Sequence, residues 1–163
     1  MASKGNKKLH KGIPQIKDAF VIIVKTEWNK HIVDELEKGA IHILKQENIS
    51  YKTLIVPGAV EIPFAIKAYA ESNQKKADAF IALGCVIKGD TPHFDYVCKA
   101  VTDGIVSLNM ILNVPTIFGV LTVNDEQQAL DRIGGKEGNK GEEAAVTAIK
   151  MIAFNRKLKI DLT

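Results

Sequence analysis

Four short stretches of the chain hold the residues best suited to chemistry. His93 follows Pro92 in KGDTPHF. Its imidazole has an ordinary pKa near ~6.5 and can give and take protons at neutral pH. Of the four histidines, His10 sits in a basic tail, and His31 and His42 fall on an amphipathic helix. His93 is therefore the candidate general acid–base. Gly89-Asp90-Thr91, just before it, offers exposed N–H groups, a hydroxyl and a helix start, which together make an anion cradle. Asp90 opposes an anion there and can instead serve as a helix N-cap. Trp28, the single tryptophan, is either a stacking platform for a planar heterocycle or a half-buried rim residue. Gly58 allows backbone to approach a ligand closely, and Glu61 can accept hydrogen bonds from a polar ring. Glu61 also reads as a helix-start acid favoured by the dipole. RIGGKEGNK, Arg132 to Lys140, gathers Arg132, Lys136 and Lys140 in a glycine-rich segment able to grip phosphate. It is no Walker A loop, because Lys140 is followed by Gly141 and the segment follows a helix. Gly134 is also where a helix C′ glycine belongs.

The elements that must position these residues alternate between two periodicities. Ala19 to Lys25 (AFVIIVK) is a β-branched run, the pattern of a strand buried on both faces. A helix from about Asn29 to Glu47 follows. It carries Ile32, Val33, Leu36, Ala40, Ile43 and Leu44 as one apolar stripe, with Asp34, Glu35, Glu37 and Lys38 opposite. Thr53 to Val56 is a second strand, and Ile62 to Ala70 a second helix with Pro63 in its first turn. Ala79 to Ile87 is the third strand and Phe94 to Leu112 the third helix, its start at Pro92. Thr116 to Val123 is the fourth strand. Asn124 or Asp125 then caps a short helix to about Ile133, Gly134 to Gly141 form a loop, and Glu142 to about Lys157 form the last helix. Acids at its start and Arg156 and Lys157 at its end suit the macrodipole. Strand–helix alternation predicts a parallel sheet with right-handed crossovers. The chain is too short for an eight-stranded barrel of roughly 250 residues. The expected fold is α/β, a flavodoxin-like three-layer α/β/α sandwich with four parallel strands and five helices. In such sheets ligands bind at the carboxyl ends of the strands, where all the residues above except the Arg132 segment fall.

Composition narrows the rest. The chain has 163 residues, with 22 Lys plus Arg against 19 Asp plus Glu. Lys4, Lys7, Lys8 and Lys11 lie in the first eleven residues, which hold no acid; without them 18 basic groups face 19 acidic ones. The positive excess thus belongs to the tail, and a folded basic face for nucleic acid is not expected. Residues 1–12 read as a flexible basic tail and 13–163 as one domain. No apolar run approaches the ~20 residues that span a bilayer. Cys85 and Cys98 form no metal-spaced cluster, so reduced thiols, no metal and a cytoplasmic location are expected.

Taken together, PGAVEIPFA (Pro57 to Ala65), LGCVIKGDTPHFDYV (Leu83 to Val97), IFGVLT (Ile117 to Thr122) and DRIGGKEGNKG (Asp131 to Gly141) resemble the lumazine synthase family of riboflavin biosynthesis. The resemblance covers about Asp18 to Arg156. It implies condensation of 5-amino-6-(D-ribitylamino)uracil with 3,4-dihydroxy-2-butanone 4-phosphate, without cofactor. It also implies a homopentamer with sites between adjacent subunits, in a family whose members also form decamers or sixty-subunit icosahedral capsids, and riboflavin synthase as a further partner. Carried onto this sequence, Trp28 stacks on the pyrimidine with Asn29 beside it. Ala59, Val60 and Glu61 border the ribityl chain, and Val86 and Ile87 contact the ring. Gly89, Asp90 and Thr91 meet the phosphate-bearing substrate. His93 shuttles protons. From the neighbouring subunit, Phe118 covers the ring, Arg132 holds phosphate, and Lys140 adds positive charge near the pyrimidine. Val60 stands where several relatives carry a bulky aromatic, and Asp90 puts a carboxylate at the phosphate site, so the contact there is expected from backbone N–H and Thr91. Two other readings fit the same sheet: a non-catalytic flavin- or pterin-binding module, which leaves His93 and Arg132 unexplained, and a structural shell protein.

Overall fold

A computed structural model describes residues 11–161. The basic tail expected over residues 1–12 falls, up to residue 10, outside the described residues.

The first strand, β1 (Phe20–Thr26), is buried at every position. It pairs in parallel with β2 (Ser50–Val56) on one side and β3 (Ala79–Ile87) on the other. The strand β4 (Thr116–Val123) pairs with β3, which gives the order β2-β1-β3-β4. Because a strand alternates its faces, β1 feeds two cores. Val21 and Ile23 join Ile32, Leu36, Ala40 and Leu44 of α1 (Lys30–Gln46) and Ala145, Ile149 and Ile152 of α5 (Lys140–Asp161). Phe20, Ile22 and Val24 join Ile62 and Ile66 of α2 (Ile62–Glu71) and Val101 and Ile105 of α3 (His93–Ile111). The expected three-layer α/β sandwich with five helices is the architecture, its fifth helix being the short α4 (Glu126–Leu130).

Several boundaries differ from the sequence reading. The β2 strand starts three residues before Thr53, because Ser50 donates its backbone N–H to Ala19 (3.2 Å). As an edge strand it is only half covered, so its polar first residues give no apolar signal. The α4 helix is capped by Asp125, whose Oδ1 accepts from Gln128 N at 2.8 Å, and it ends at Leu130 instead of running to about Ile133. Ile133–Gly135 and Gly138–Asn139 then pair antiparallel as a small hairpin, β5 and β6. Gly134, at φ 121°, belongs to that hairpin and is not a C-cap. The α5 helix begins two residues early because Asn139 caps it: its Oδ1 accepts from Gly141 N (2.8 Å) and Glu142 N (3.3 Å). At Gly141 a Cβ would lie 1.8 Å from the Leu36 carbonyl oxygen, so α5 and α1 touch there backbone to backbone.

Two of the acids placed opposite the apolar stripe of α1 instead face inward. Asp34 Oδ1 accepts from Lys25 Nζ at 2.8 Å, and Glu37 also pairs with Lys25, a buried residue of β1. At the outer edge of the sheet Asn109, on α3, accepts from Thr116 N and donates to Thr116 O, both at 2.8 Å.

Candidate functional site

The β1–α1 connection is three residues long, Glu27-Trp28-Asn29. Glu27 N donates to Val56 O (2.9 Å) and Trp28 N to Pro57 O (3.2 Å), which ties this loop to the end of β2. Thr26 Oγ1 donates to Trp28 O at 3.2 Å. The indole is 67% exposed, so it is a presented surface and not the half-buried rim residue that its position also allowed. It lies against Gly58, where a Cβ would stand 3.2 Å from Trp28 Cε3 and 3.0 Å from Glu61 Oε2. Any side chain at residue 58 would have to displace the ring or the carboxylate. Asn29 takes a left-handed backbone conformation (φ 55°, ψ 39°), one that asparagine tolerates better than most residues. Its Nδ2 donates to Cys85 O at 2.8 Å, joining the first loop to the end of β3.

Ala59, Val60 and Glu61 form a single turn of 3₁₀ helix that leads into α2. Glu61 occupies the N-cap position without a side-chain capping bond. Beyond β3, Gly89, Asp90, Thr91 and His93 are all exposed. Asp90 does not cap α3; Thr91 Oγ1 accepts from His93 N, at 3.4 Å. His93 is the first residue of α3, where the positive end of the helix dipole lies.

These loops enclose a pocket of about 220 Å³. Among the residues read from sequence, Trp28, Asn29, Ala59, Val86, Ile87, Gly89, Thr91 and His93 line it. Val60, Glu61 and Asp90 stand on the same loops outside the lining. The sequence reading missed Thr26, Cys85, Phe94 and Val97, which complete the wall. The spacing of Phe94 and Val97, next to His93 on one helical face, was the available signal. Burial pushes the Cys85 thiol up to about 12, with help from the Glu126 carboxylate, so it is a neutral wall residue and no nucleophile.

Phe118, Arg132 and Lys140 are elsewhere. They line a second hollow of about 800 Å³ along β4 and the start of α5, which shares no residue with the first. Three cations meet near it with different fates. Lys136 pairs with Asp131 at 2.8 Å and holds that carboxyl below its ordinary range. Lys140 pairs with Glu143 at 2.7 Å. Arg132 donates Nη1 to Gln128 O at 2.8 Å and has no ion pair among the described residues. Backbone bonds hold its loop, Arg132 N to Ala129 O and Lys140 N to Arg132 O, both 2.9 Å.

The first pocket combines apolar walls, one exposed aromatic face, backbone groups at strand ends and a histidine at a helix start. That set suits a planar ring that must gain or lose protons. The second hollow offers an arginine that forms no ion pair among the described residues, its neighbouring carboxylates being paired with lysines. Among the described residues no group of three or more His, Cys, Asp or Glu is placed to hold a metal ion. No described helix is long and apolar enough to cross a membrane.

The family model of 6,7-dimethyl-8-ribityllumazine synthase matches residues 18–156. A relative in Parabacteroides distasonis named 6,7-dimethyl-8-ribityllumazine synthase is 48% identical over 146 residues, covering 88% of this chain and 90% of its own length. One of the same name in Porphyromonas gingivalis is 49% identical over 150 residues, with 90% and 92% covered. Another, in Bacteroides fragilis, is 51% identical over 137 residues, with 81% and 93% covered.

Proposed function

The chain belongs to the 6,7-dimethyl-8-ribityllumazine synthase family, and from that premise we propose how its residues carry the reaction. The enzyme is a transferase of riboflavin biosynthesis. It condenses 5-amino-6-(D-ribitylamino)uracil with 3,4-dihydroxy-2-butanone 4-phosphate to give 6,7-dimethyl-8-ribityllumazine, phosphate and water. The observation that carries the assignment of roles is the convergence of Trp28, Asn29, Ala59, Val86, Ile87 and His93 on one pocket.

In this reading the pyrimidine stacks on Trp28, with Val86 and Ile87 against it. Asn29, whose amide is committed to Cys85 O, shapes the wall as much as it touches the ring. Ala59, Val60 and Glu61 border the ribityl chain. An amine of the uracil attacks the ketone of the butanone and water leaves on imine formation. Phosphate is then eliminated, the resulting enol becomes a ketone, and the second amine closes the ring on that carbonyl with loss of a second water. Each step moves protons, and His93 is the group in the pocket able to relay them. Phosphate leaves toward Gly89, Thr91 and the positive end of α3, while Asp90 stands outside the pocket lining. Much of the acceleration comes from holding two substrates together.

Phe118, Arg132 and Lys140 complete the site from the next subunit of a ring. The separation of the two hollows and the open outer edge of β4 support that reading: one copy offers strand-end loops, the next its β4 edge and Arg132. The assembly is a homopentamer, the unit from which both a decamer and a sixty-subunit icosahedral shell can be built. Residues 13–163 act as one domain, with Ile13 and Ile16 packed against its own core; the enzyme works in the cytoplasm, and riboflavin synthase takes its product.

Purified protein given both substrates without added metal should form a fluorescent lumazine. No product alongside tight riboflavin binding would transfer the assignment to a flavin-binding module. His93→Ala should lower kcat about tenfold or more, within the range of general acid–base contributions; an unchanged kcat removes His93 from the mechanism. Light scattering on the native protein tests the assembly.

A further inference from the structure

The penultimate residue of β1, before Thr26 and the Trp28 loop, is a lysine that follows five apolar residues, Phe20 to Val24. Lys25 is 8% exposed and lies on the same face as Val21 and Ile23, beneath α1. Its Nζ meets Asp34 Oδ1 at 2.8 Å and pairs with Glu37. These two carboxylates stand three residues apart, so both come from one face of the first turns of α1. Glu37 Oε1 also accepts from Thr53 Oγ1 of β2 at 2.8 Å, and Asp34 pairs with Lys30. Burial alone would lower the pKa of Lys25, yet the hydrogen bonds to Asp34 and Glu37 hold it above the ordinary lysine value. The amine stays charged throughout the physiological range.

The start of α1 needs such an anchor. Its N-cap residue, Asn29, is left-handed and makes no side-chain capping bond, and its first turn has no acid. Helix starts are commonly fixed by those two devices. Here the first turns are held from below, by β1, through a connection only three residues long.

We propose that Lys25 is a positioning residue for the ring-binding wall: its paired bonds to Asp34 and Glu37 fix the start of α1 and thereby the placement of Trp28. Lys25 touches no substrate, and it acts only through the loop. The inference rests on the reading of Trp28 as the ring platform.

The test uses the assembled full-length enzyme and the intrinsic emission of Trp28, the single tryptophan. Lys25→Met should raise KM for the ribitylaminouracil about five- to tenfold, the scale expected for a small displacement of a binding wall. KM for the butanone phosphate and kcat should stay within about twofold. The anisotropy of Trp28 emission should fall, because the ring is less well held. Lys25→Arg, which can grip both carboxylates, should recover most of both signals. Glu37→Gln and Asp34→Asn each remove one arm at a partly exposed position and should move both signals in the same direction, even if Lys25→Met does not fold. Wild-type KM and anisotropy in folded Lys25→Met overturn the proposal. So does a uniform loss in all kinetic constants that Lys25→Arg does not rescue. Trp28→Ala separates the two failures: an unchanged KM for the ribitylaminouracil rejects the ring platform itself. A raised KM in Trp28→Ala beside an unaffected Lys25→Met rejects only the role of Lys25.

Discussion

The chain has two arginines, and they stand at opposite ends of the sheet in opposite circumstances. At the amino end Arg156 is consumed by structure. Its guanidinium donates to Lys17 O (2.6 Å), Asp18 O (3.4 Å) and Asp78 Oδ1 (2.9 Å). The other oxygen of Asp78 accepts from Phe20 N, at 2.9 Å, so the clamp closes directly onto the first residue of β1. At the carboxyl end Arg132 makes one side-chain bond, to a carbonyl, and forms no ion pair among the described residues, although its charge is felt by the adjacent Asp131. Nearby acids are taken by Lys136 and Lys140. A guanidinium surrounded by acceptors stabilises the fold; one whose neighbouring carboxylates are paired with lysines leaves its donors for an anion from outside. Residue type alone does not separate these roles, whereas the local supply of acceptors does.

The sharpest way to break this contrast is to remove each arginine in turn. Arg132→Ala should raise KM for the butanone phosphate by about 10- to 100-fold, the value of a charged hydrogen bond, and leave the melting temperature nearly unchanged. A constant KM would detach Arg132 from phosphate. Arg156→Ala should do the reverse. The expected loss is about 1 kcal/mol of stability, since the pair is partly solvated, read as a fall of about 2–4 °C in Tm, with both KM values unchanged. A kinetic effect there would mean the amino end communicates with the pocket. The smallest effect concerns acid. The carboxyl of Asp131 is held below its ordinary 3.8 first by the hydrogen bond from Lys136. A depressed carboxyl contributes stability above its unfolded pKa and loses it as pH falls through the folded one. Lys136→Met should therefore flatten slightly the decline in Tm below about pH 4. Above pH 5 it should also leave Asp131 free to compete for Arg132. A small rise in KM for the phosphate substrate is the kinetic check.

Much of the fold was legible because burial writes itself in residue types. The strand β1 is a run of branched residues covered on both faces, and α1 shows its apolar stripe. What was lost has physical reasons. The hairpin of Ile133–Gly135 with Gly138–Asn139 is too short for any periodicity, and its glycines read equally well as a helix end. Asp34 and Glu37 look like a solvated helix face until the strand beneath them supplies Lys25, a partner that helical spacing does not reveal. The site divides in the same way. Trp28 and His93 were legible because loops after parallel strands must converge. Cys85 was read only as a reduced thiol and not as a wall of the pocket, because a lone thiol carries no motif, and the commitment of Asn29 to a backbone carbonyl is a tertiary fact. That Phe118, Arg132 and Lys140 share no hollow with the strand-end loops is likewise invisible in one dimension.

Asn109 has a consequence for how the sheet can be extended. In a parallel ladder alternate residues turn their backbone groups to alternate sides. Phe80 N reaches Pro115 O, so Thr116 points away from β3, as do Phe118, Val120 and Thr122. An open edge of that kind invites any strand to slide along it. The side chain of Asn109 occupies both the N–H and the C=O of Thr116, imitating one residue of a missing neighbour. It works as a doorstop: an arriving strand finds its first outward partner at Phe118, and a register one step nearer the amino end is refused.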